Sequence, residues 1–140
     1  AAEAGSALRS RVVEEALRVT VPSPAMLRSV RAETSVGDAR VRAGDRIVIV
    51  TLACCRASGP FDPEAPVDAA VRHLWFGAGP HFCLGMPLAT AQVDAALDAL
   101  APVAAAGASL RVVRRKVARG VLVPAYRSLV LAAEGGRSAA

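Results

Sequence analysis

Apolar residues recur at helical spacing near the start of the chain. Four of them form one stripe with charged residues opposite, and Pro22 and Pro24 then end the pattern, which predicts a helix over residues 7–19. A pattern typical of short β-strands follows over residues 26–53, interrupted by Gly-Asp turn signals. The helical stripe consists of Val12, Val13, Ala16 and Leu17, and the β-branched run Ile47–Val50 predicts a buried strand.

The middle of the chain, residues 56–85, is irregular and dense in glycine and proline. A loop of this length inside a compact domain is usually functional. A second helix is predicted over residues 86–101, because Pro87 suits a first helical turn, and strands are predicted within residues 109–133. The helix offers a small packing face of Leu88, Ala91, Ala95 and Ala99, and the strands are Leu110–Val113, Val121–Val123 and Ser128–Leu131.

Composition narrows the class of protein. The chain has 140 residues, enough for one domain, and 54% of them are hydrophobic, with a mean hydropathy of +0.39. This favours a segment whose apolar surface faces a cofactor or the rest of a larger fold, and the first residue, Ala rather than Met, fits a fragment or a processed chain. The apolar runs Ile47–Cys55 and Ala99–Leu110 are shorter than the roughly 20 residues of a membrane span, and no signal peptide is visible.

The chain is basic, with a formal net charge of +5. Such a balance suits nucleic acid, anionic lipid or an acidic protein, but no zinc-finger spacing, RNA-binding aromatic motif or helix-turn-helix signature accompanies it. We therefore expect no nucleic-acid partner and interpret the cluster Arg111, Arg114, Arg115 and Lys116 as a solvated face. The adjacent Cys54 and Cys55 are interpreted as small buried hydrophobes, and three cysteines without a disulfide pattern indicate a reducing, cytoplasmic setting.

Residues 76–85 carry the chemistry of the chain. They read Phe-Gly-Ala-Gly-Pro-His-Phe-Cys-Leu-Gly and deliver Cys83 to the start of the second predicted helix. The positive end of a helix dipole favours the thiolate of a cysteine, which is the form that binds metal. Gly79 and Gly85 permit a positive φ or the close approach of another group, and His81 can donate a hydrogen bond to an anion.

This segment resembles the haem loop of the cytochrome P-450 family, whose pattern is Phe-x-x-Gly-x-His/Arg-x-Cys-x-Gly. Every defined position is filled, by Phe76, Gly79, His81, Cys83 and Gly85. The resemblance implies that Cys83 is the catalytic thiolate ligand to the iron of haem b, that Phe76 shields its sulfur, and that His81 binds a propionate. It also implies that the loop lies flat on the porphyrin, with cofactor-binding glycines at Gly77, Gly79 and Gly85.

Two further matches lie upstream of the cysteine. Glu15 and Arg18 are three residues apart and can pair on one helix face, which is a weak signal alone, and Glu14 could also reach Arg18. The resemblance implies that Glu15 and Arg18 form the buried, structural Glu-x-x-Arg pair of the family. It also implies that Arg28 binds the other propionate, with Arg31 as a weaker candidate.

The chain departs from the family pattern in several places. Ala57 stands where an aspartate is usual, Thr90 stands where an arginine is common, and residues 62–66 lack the Arg-Phe pair whose arginine completes the Glu-x-x-Arg network. Nothing matches the long central helix of the distal haem face, since full members of the family are much longer. By resemblance, substrate would touch Pro24–Leu27 and the Gly120–Val123 turn, with Ala25, Met26, Leu27 and Leu122 as candidate contacts.

The expected fold is α+β, the C-terminal portion of the mainly helical cytochrome P-450 fold, with two main helices, small β-sheets and a long haem-binding loop in one partial domain over residues 1–140. By resemblance, a bacterial-type soluble monooxygenase would activate O2 at the Cys83-ligated haem iron and oxidise a small apolar organic substrate. A ferredoxin- or flavodoxin-type electron donor would dock near Arg72 and His73, and no membrane partner is expected. The alternatives are a truncated haem-binding module without monooxygenase activity, and a zinc site of His81, Cys83 and Cys54 or Cys55.

Overall fold

The computed structural model of the chain describes residues 2–65, 68–121 and 123–135. These residues fold into two compact units, one ending at His81 and the other beginning at Phe82. They form three helices and three two-stranded antiparallel sheets, in keeping with the expected α+β class. In chain order the elements are α1 (Ala2–Thr20), β1 (Met26–Ser29), β2 (Thr34–Val36), β3 (Ala39–Val41), β4 (Arg46–Ile49), α2 (Thr51–Arg56), α3 (Met86–Ala105), β5 (Ser109–Val117) and β6 (Tyr126–Glu134).

The first unit begins with α1, which contains the predicted helix and extends it at both ends. Two small sheets follow, in which β1 pairs with β4 and β2 pairs with β3. The prediction that Ile47–Val50 is buried is wrong, because Val48 on β4 and Val50 just after it are exposed, with exposed fractions of 56% and 47%. A two-stranded sheet cannot cover its own faces.

Residues 51–56 form the short helix α2 rather than the last part of the predicted strand region. Long-range contacts fix its first turn: the Thr51 hydroxyl donates to the Ser23 carbonyl at 2.6 Å, and the Leu52 N–H donates to the Pro24 carbonyl at 3.1 Å. Because these contacts involve residues far back along the chain, local strand propensity could not anticipate them.

The core of the first unit forms where α1, α2 and a 3₁₀ turn over Leu74–Phe76 meet. Val21, Cys55 and Trp75 are buried at its centre, and the side chains packed around them are Leu17, Leu52, Leu74 and Phe76. Of the two adjacent cysteines, Cys55 is buried as predicted, whereas Cys54 is exposed. Neighbouring residues of a helix point about 100° apart, so only one of them can face this core.

The second unit consists of α3 and the β5–β6 hairpin, and none of its described residues is fully buried. The predicted packing face of α3 is solvent-exposed, and the half-buried face lies one or two positions further along the helix, at Ala89, Val93, Leu97 and Leu100. The helix is apolar on most sides, so periodicity could not select the right face. The basic cluster on β5 is solvent-exposed, as expected, and its Arg111 pairs with Glu134.

The prediction of a strand at Val121–Val123 is wrong, whereas the other two predicted C-terminal strands lie within β5 and β6. Val121 and Val123 lie in the connection between β5 and β6 rather than in a strand, and Leu122 lies outside the described residues. The connection contains Gly120 and Pro124, residues that break strand pairing. Among the described helices, none combines the length and hydropathy needed to cross a membrane.

Candidate functional site

Glu15 and Arg18 form an ion pair on the buried side of α1. The Arg18 Nε atom donates to Glu15 Oε2 at 2.7 Å, and Nη2 donates to Oε1 at 2.6 Å. Both side chains are almost completely buried, with exposed fractions of 4% and 3%. This two-bond geometry is the strongest form of arginine–carboxylate contact.

The same guanidinium also binds backbone carbonyls in the last turn of α2 and just after it. It donates to the carbonyls of Cys55, Gly59 and Pro60, at 3.0 Å for Gly59 and 2.8 Å for Pro60. The Asp62 N–H in turn donates to Glu15 Oε1 at 2.9 Å. The buried charges are therefore satisfied, and α1 is tied to the start of the irregular segment.

Hydrogen bonds from Arg18 hold the pKa of Glu15 below its usual value, although burial acts in the opposite direction. The same bonds raise the pKa of Arg18. Burial raises the pKa of the Cys55 thiol. The pair is therefore ionised at neutral pH, whereas the Cys55 thiol is held in its neutral form.

Backbone groups of residues 55–62 complete the Glu15–Arg18 network, and sequence reasoning did not find them. The sequence lacks the arginine that completes this network in the family. In the structure the Asp62 N–H donates a hydrogen bond to Glu15 instead. A backbone N–H is present at nearly every residue, so it leaves no trace in the sequence. Two signals do favour this geometry: Pro60 and Pro63 restrict the chain on either side of Asp62.

The segment that leads to Cys83 is built from two 3₁₀ turns, Leu74–Phe76 and Gly79–His81. Gly77 lies between them with φ 84° and ψ −167°, a conformation that essentially only glycine adopts. A Cβ atom at Gly77 would also approach the His81 carbonyl oxygen to 3.4 Å. Gly79 has φ 65°, again in the left-handed region. Glycine is thus required where the chain curls back on itself.

Cys83 lies in the second unit, at the foot of α3, and its thiol is free and exposed. The Cys83 carbonyl accepts a hydrogen bond from the Met86 N–H at 3.2 Å, which begins the first helical turn. A Cβ atom at Gly85 would lie 3.8 Å from the Cys83 sulfur, in ordinary van der Waals contact. Cys83 therefore lies just before α3, as the sequence predicted, and its thiol is open to its surroundings.

Apolar side chains next to Cys83 in the chain are also uncovered. Leu84 is 97% exposed and Leu88 is 66% exposed, and Phe82 is exposed as well. Large aliphatic side chains at such exposure leave apolar area open to a ligand or another part of a protein. An accessible sulfur beside open apolar surface suits a flat apolar group that carries a metal.

Most of the other predicted site residues lie in the first unit. Phe76 is half-buried against the core, and His81 is exposed. Arg28 is exposed on β1, where its Nη1 donates to the Leu27 carbonyl at 3.1 Å. Among the predicted substrate contacts, Ala25 and Leu27 are exposed, Met26 is half-buried, and Leu122 lies outside the described residues.

Within the described part of the chain, no group of three or more His, Cys, Asp and Glu side chains is placed to hold a metal ion. The zinc interpretation of His81, Cys83 and Cys54 or Cys55 requires such a group. It therefore has no support among these residues.

Comparison with known proteins identifies the family. The cytochrome P-450 family model matches residues 8–100, and the chain belongs to the cytochrome P-450 family. Members of this family bind haem through a cysteine thiolate, so membership implies a haem cofactor. The family assignment agrees with the resemblance found at Phe76–Gly85.

Individual relatives and structures agree with this assignment. Cytochrome P-450-terp of a Pseudomonas species is 34% identical over 104 residues, covering 72% of this chain and 24% of that protein. Mycinamicin VIII C21 methyl hydroxylase of Micromonospora griseorubida is 33% identical over 96 residues, covering 66% of this chain and 25% of that protein. The structure of cytochrome P-450-153 from Novosphingobium aromaticivorans superposes with a TM-score of 0.76 at 25% identity, covering 92% of this chain and 33% of that chain.

The chain therefore spans about a quarter of the length of the curated relatives it matches. The family match extends from residue 8 to residue 100, so it contains both the Glu15–Arg18 pair and the cysteine-bearing segment.

Proposed function

We propose that Cys83 would supply the thiolate that binds the iron of haem b, and that this chain is the haem-binding part of a cytochrome P-450 monooxygenase. The observation that carries the proposal is the exposed, free thiol at the foot of α3, preceded by a loop whose backbone at Gly77 and Gly79 favours glycine. A thiolate with access to a flat ligand is the group this cofactor needs.

The residues around Cys83 fit a porphyrin in their chemistry. The exposed Leu84 and Leu88 side chains offer apolar area for a macrocycle. Glycine at position 85 keeps bulk away from the sulfur, because a side chain there would begin 3.8 Å from it. The resemblance to the family assigns the two propionates to His81 and Arg28, and both are exposed residues whose side chains can donate hydrogen bonds.

When bound, the haem would supply O2 activation, with thiolate ligation favouring cleavage of the O–O bond. The chain itself would bind, orient and shield. Cys83 would hold the cofactor through its sulfur, Phe76 would limit water at the start of the loop, and Gly77 and Gly79 would keep the loop close to the ring.

We infer a small apolar organic substrate from Ala25, Met26 and Leu27. Their side chains are apolar, and two of the three residues are exposed in the first unit. Burying that apolar area against a ligand would stabilise binding by about 25 cal/mol per Å². A substitution of Leu27 by Asp should raise the Kd of an apolar ligand of the haem-loaded protein, as followed by its spectral shift, whereas Arg40→Asp on β3 should not.

An acidic ferredoxin- or flavodoxin-type donor is the electron source that fits the basic residues before the loop. Arg72 is 57% exposed, and its Nη2 atom lies 3.7 Å from the Glu14 Oε2 atom. Reversing it, as Arg72→Glu, should slow reduction of the haem-loaded protein by such a donor and weaken the salt dependence of that rate. An unchanged rate and salt dependence would remove Arg72 from the docking surface.

A cytoplasmic setting agrees with the free cysteines. Cys54, Cys55 and Cys83 form no disulfide in the described structure. Free thiols persist in reducing compartments, and a thiolate ligand has to remain reduced to bind iron. Recovery of all three thiols in reduced form from gently lysed cells would support this localisation.

The deciding experiment is the carbon monoxide spectrum of the purified chain after reconstitution with haem and reduction. We expect a red-shifted Soret band of the thiolate type, which Cys83→Ser should abolish. Cys54→Ser is the matched control, because Cys54 is also exposed but lies on α2. Loss of the band in the control, or its persistence without Cys83, would contradict the assignment of the ligand.

Measuring substrate oxidation distinguishes a monooxygenase from a haem-binding module without monooxygenase activity. A thiolate spectrum together with oxidation of an apolar substrate would identify a monooxygenase. The same spectrum without substrate oxidation, in the presence of a competent electron donor, would identify a haem-binding module instead.

A further inference from the structure

The β5–β6 hairpin carries all of the described positive charge of the second unit. Its one carboxylate among the described residues, Glu134, pairs with Arg111 at 2.6 Å, near the open end of the hairpin. The remaining cations of the hairpin form no ion pair with any carboxylate in the described part of the chain; they are Arg114, Arg115, Lys116, Arg119 and Arg127. The end of the hairpin near the connection between its strands is therefore strongly and uniformly positive.

Four of these cations lie around one groove at that end of the hairpin. The groove has a volume of about 530 Å³, and its described lining residues are Arg115, Lys116, Val117, Arg119 and Arg127. Small-molecule pockets have volumes of about 300–1,000 Å³, so the groove is large enough for a ligand. Since no acidic residue is among the described lining residues, that ligand would meet positive charge alone.

A β-bulge contributes Arg127 to this groove. Lys116 faces Ser128 and Val117 faces Tyr126, so Arg127 is an extra residue in the ladder between β5 and β6. A bulge interrupts the alternation of side chains along a strand and redirects the residues around it. Beyond the bulge the Ala118 N–H donates to the Ala125 carbonyl at 2.9 Å, which continues the pairing of the two strands. The hairpin backbone thus brings cations from both strands to one groove.

We propose that this groove binds a small molecule that carries two adjacent phosphate groups, such as a diphosphate ester. Like charges held close together repel one another, and a ligand of high negative charge relieves that repulsion. Two phosphate groups carry about three to four negative charges near neutral pH, whereas a carboxylate carries only one. Three of the four cations are arginines, whose planar guanidinium can donate two parallel hydrogen bonds to a phosphate. The groove uses no residue of the segment that leads to Cys83, so the proposal does not depend on haem binding.

Calorimetric titration of the purified chain with inorganic pyrophosphate measures this binding directly. Orthophosphate is the comparison ligand, because it offers the same oxygen atoms with a single phosphate group. We expect one pyrophosphate per chain, bound at least about 10-fold more tightly than orthophosphate, since more charge-assisted hydrogen bonds form. The affinity should fall as the salt concentration rises, because the groove is open to solvent.

Charge-neutral variants distinguish a site from the general field of the hairpin. Arg119→Gln and Arg127→Gln each remove a cation that lines the groove, and each should raise the Kd of pyrophosphate at least about 10-fold. Arg114→Gln is the matched control, because it removes the same charge from the same hairpin but does not line the groove. It should raise the Kd by less than about 3-fold, since only screened long-range attraction is lost. All of these side chains are exposed, so circular dichroism should be the same for the three variants and the natural chain.

Three results would overturn the proposal. A Kd for pyrophosphate above about 1 mM at low salt would show that the groove holds no such ligand. Equal losses of affinity in Arg114→Gln and Arg127→Gln would show that the hairpin attracts anions without a defined site. Phosphatidylglycerol vesicles and polyglutamate test the other anionic partners. If either binds the chain and excess pyrophosphate does not displace it, the hairpin belongs to a membrane surface or an acidic protein instead.

Discussion

Arg18 holds Glu15 through two hydrogen bonds of 2.7 and 2.6 Å and reaches past it to the backbone that follows α2. One side chain thereby joins α1 to the carbonyls of Cys55, Gly59 and Pro60. These contacts fix the beginning of the irregular segment, residues 56–85, which continues to Trp75 and Cys83. The pair is thus part of the scaffold rather than of the chemistry.

Replacing Arg18 by Met should destabilise the chain by about 3 kcal/mol, because the Glu15 carboxylate would remain buried without its partner. Urea unfolding followed by Trp75 emission measures this change. Arg40→Met is the matched control, since Arg40 pairs with Glu33 on the surface and its loss should cost less than about 1 kcal/mol. Equal effects of the two substitutions would show that the buried network is not what stabilises this unit.

The lowered pKa of Glu15 gives the stability a predictable pH dependence. A carboxyl whose pKa is lower in the folded chain stabilises it above the unfolded value, about 4.3 for glutamate, and this contribution disappears as the pH falls through the folded value. The stability difference between the natural chain and Glu15→Gln should therefore be constant from pH 7 to pH 5 and shrink below pH 4. Urea midpoints measured at several pH values test this, and a difference independent of pH would contradict it.

The stability of the chain should be sensitive to substitution of Gly77, at the start of the segment that leads to Cys83. Gly77→Ala should destabilise the first unit by about 1–3 kcal/mol, because φ 84° with ψ −167° is strained for alanine. It should also weaken the thiolate band after haem reconstitution. Gly5→Ala is the matched control, since a Cβ at Gly5 in α1 meets nothing within 4 Å and should stabilise the helix by up to about 1 kcal/mol.

The sequence predicted those features that local residue types determine. The helical stripe around Val13 located α1, Pro87 located the start of α3, and the glycines around Cys83 marked an irregular loop. Glycine and proline restrict the backbone wherever they occur, so their spacing survives in the sequence as a readable signal.

Features that depend on distant contacts could not be predicted in this way. The helix α2 forms because Thr51 and Leu52 bind carbonyls some 28 residues earlier in the chain, at Ser23 and Pro24. The sequence also gives no sign of the Asp62 N–H donor or of the left-handed backbone at His73. Neither a backbone hydrogen bond nor a backbone torsion is tied to one residue type. The face of α3 was also misassigned, because an alanine-rich helix has no distinct apolar stripe.

The three cysteines should differ sharply in their reaction with a thiol reagent, and this difference tests both the core and the site. Cys54 and Cys83 are exposed and should be alkylated rapidly in the native chain. Cys55 is inaccessible, and burial raises its pKa, so both access and thiolate content oppose its reaction. We expect Cys55 to react at least about 100-fold more slowly, at a rate set by opening of the first unit.

Mass spectrometry of the labelled peptides distinguishes the cysteines, and urea should make all three react alike. Saturating haem adds the functional comparison, because a ligated Cys83 should become protected while Cys54, on α2, keeps its reactivity. Rapid native labelling of Cys55 would contradict the described core. Unchanged labelling of Cys83 in the presence of bound haem would mean that the haem sits elsewhere, and the assignment of Cys83 as its ligand would then fail.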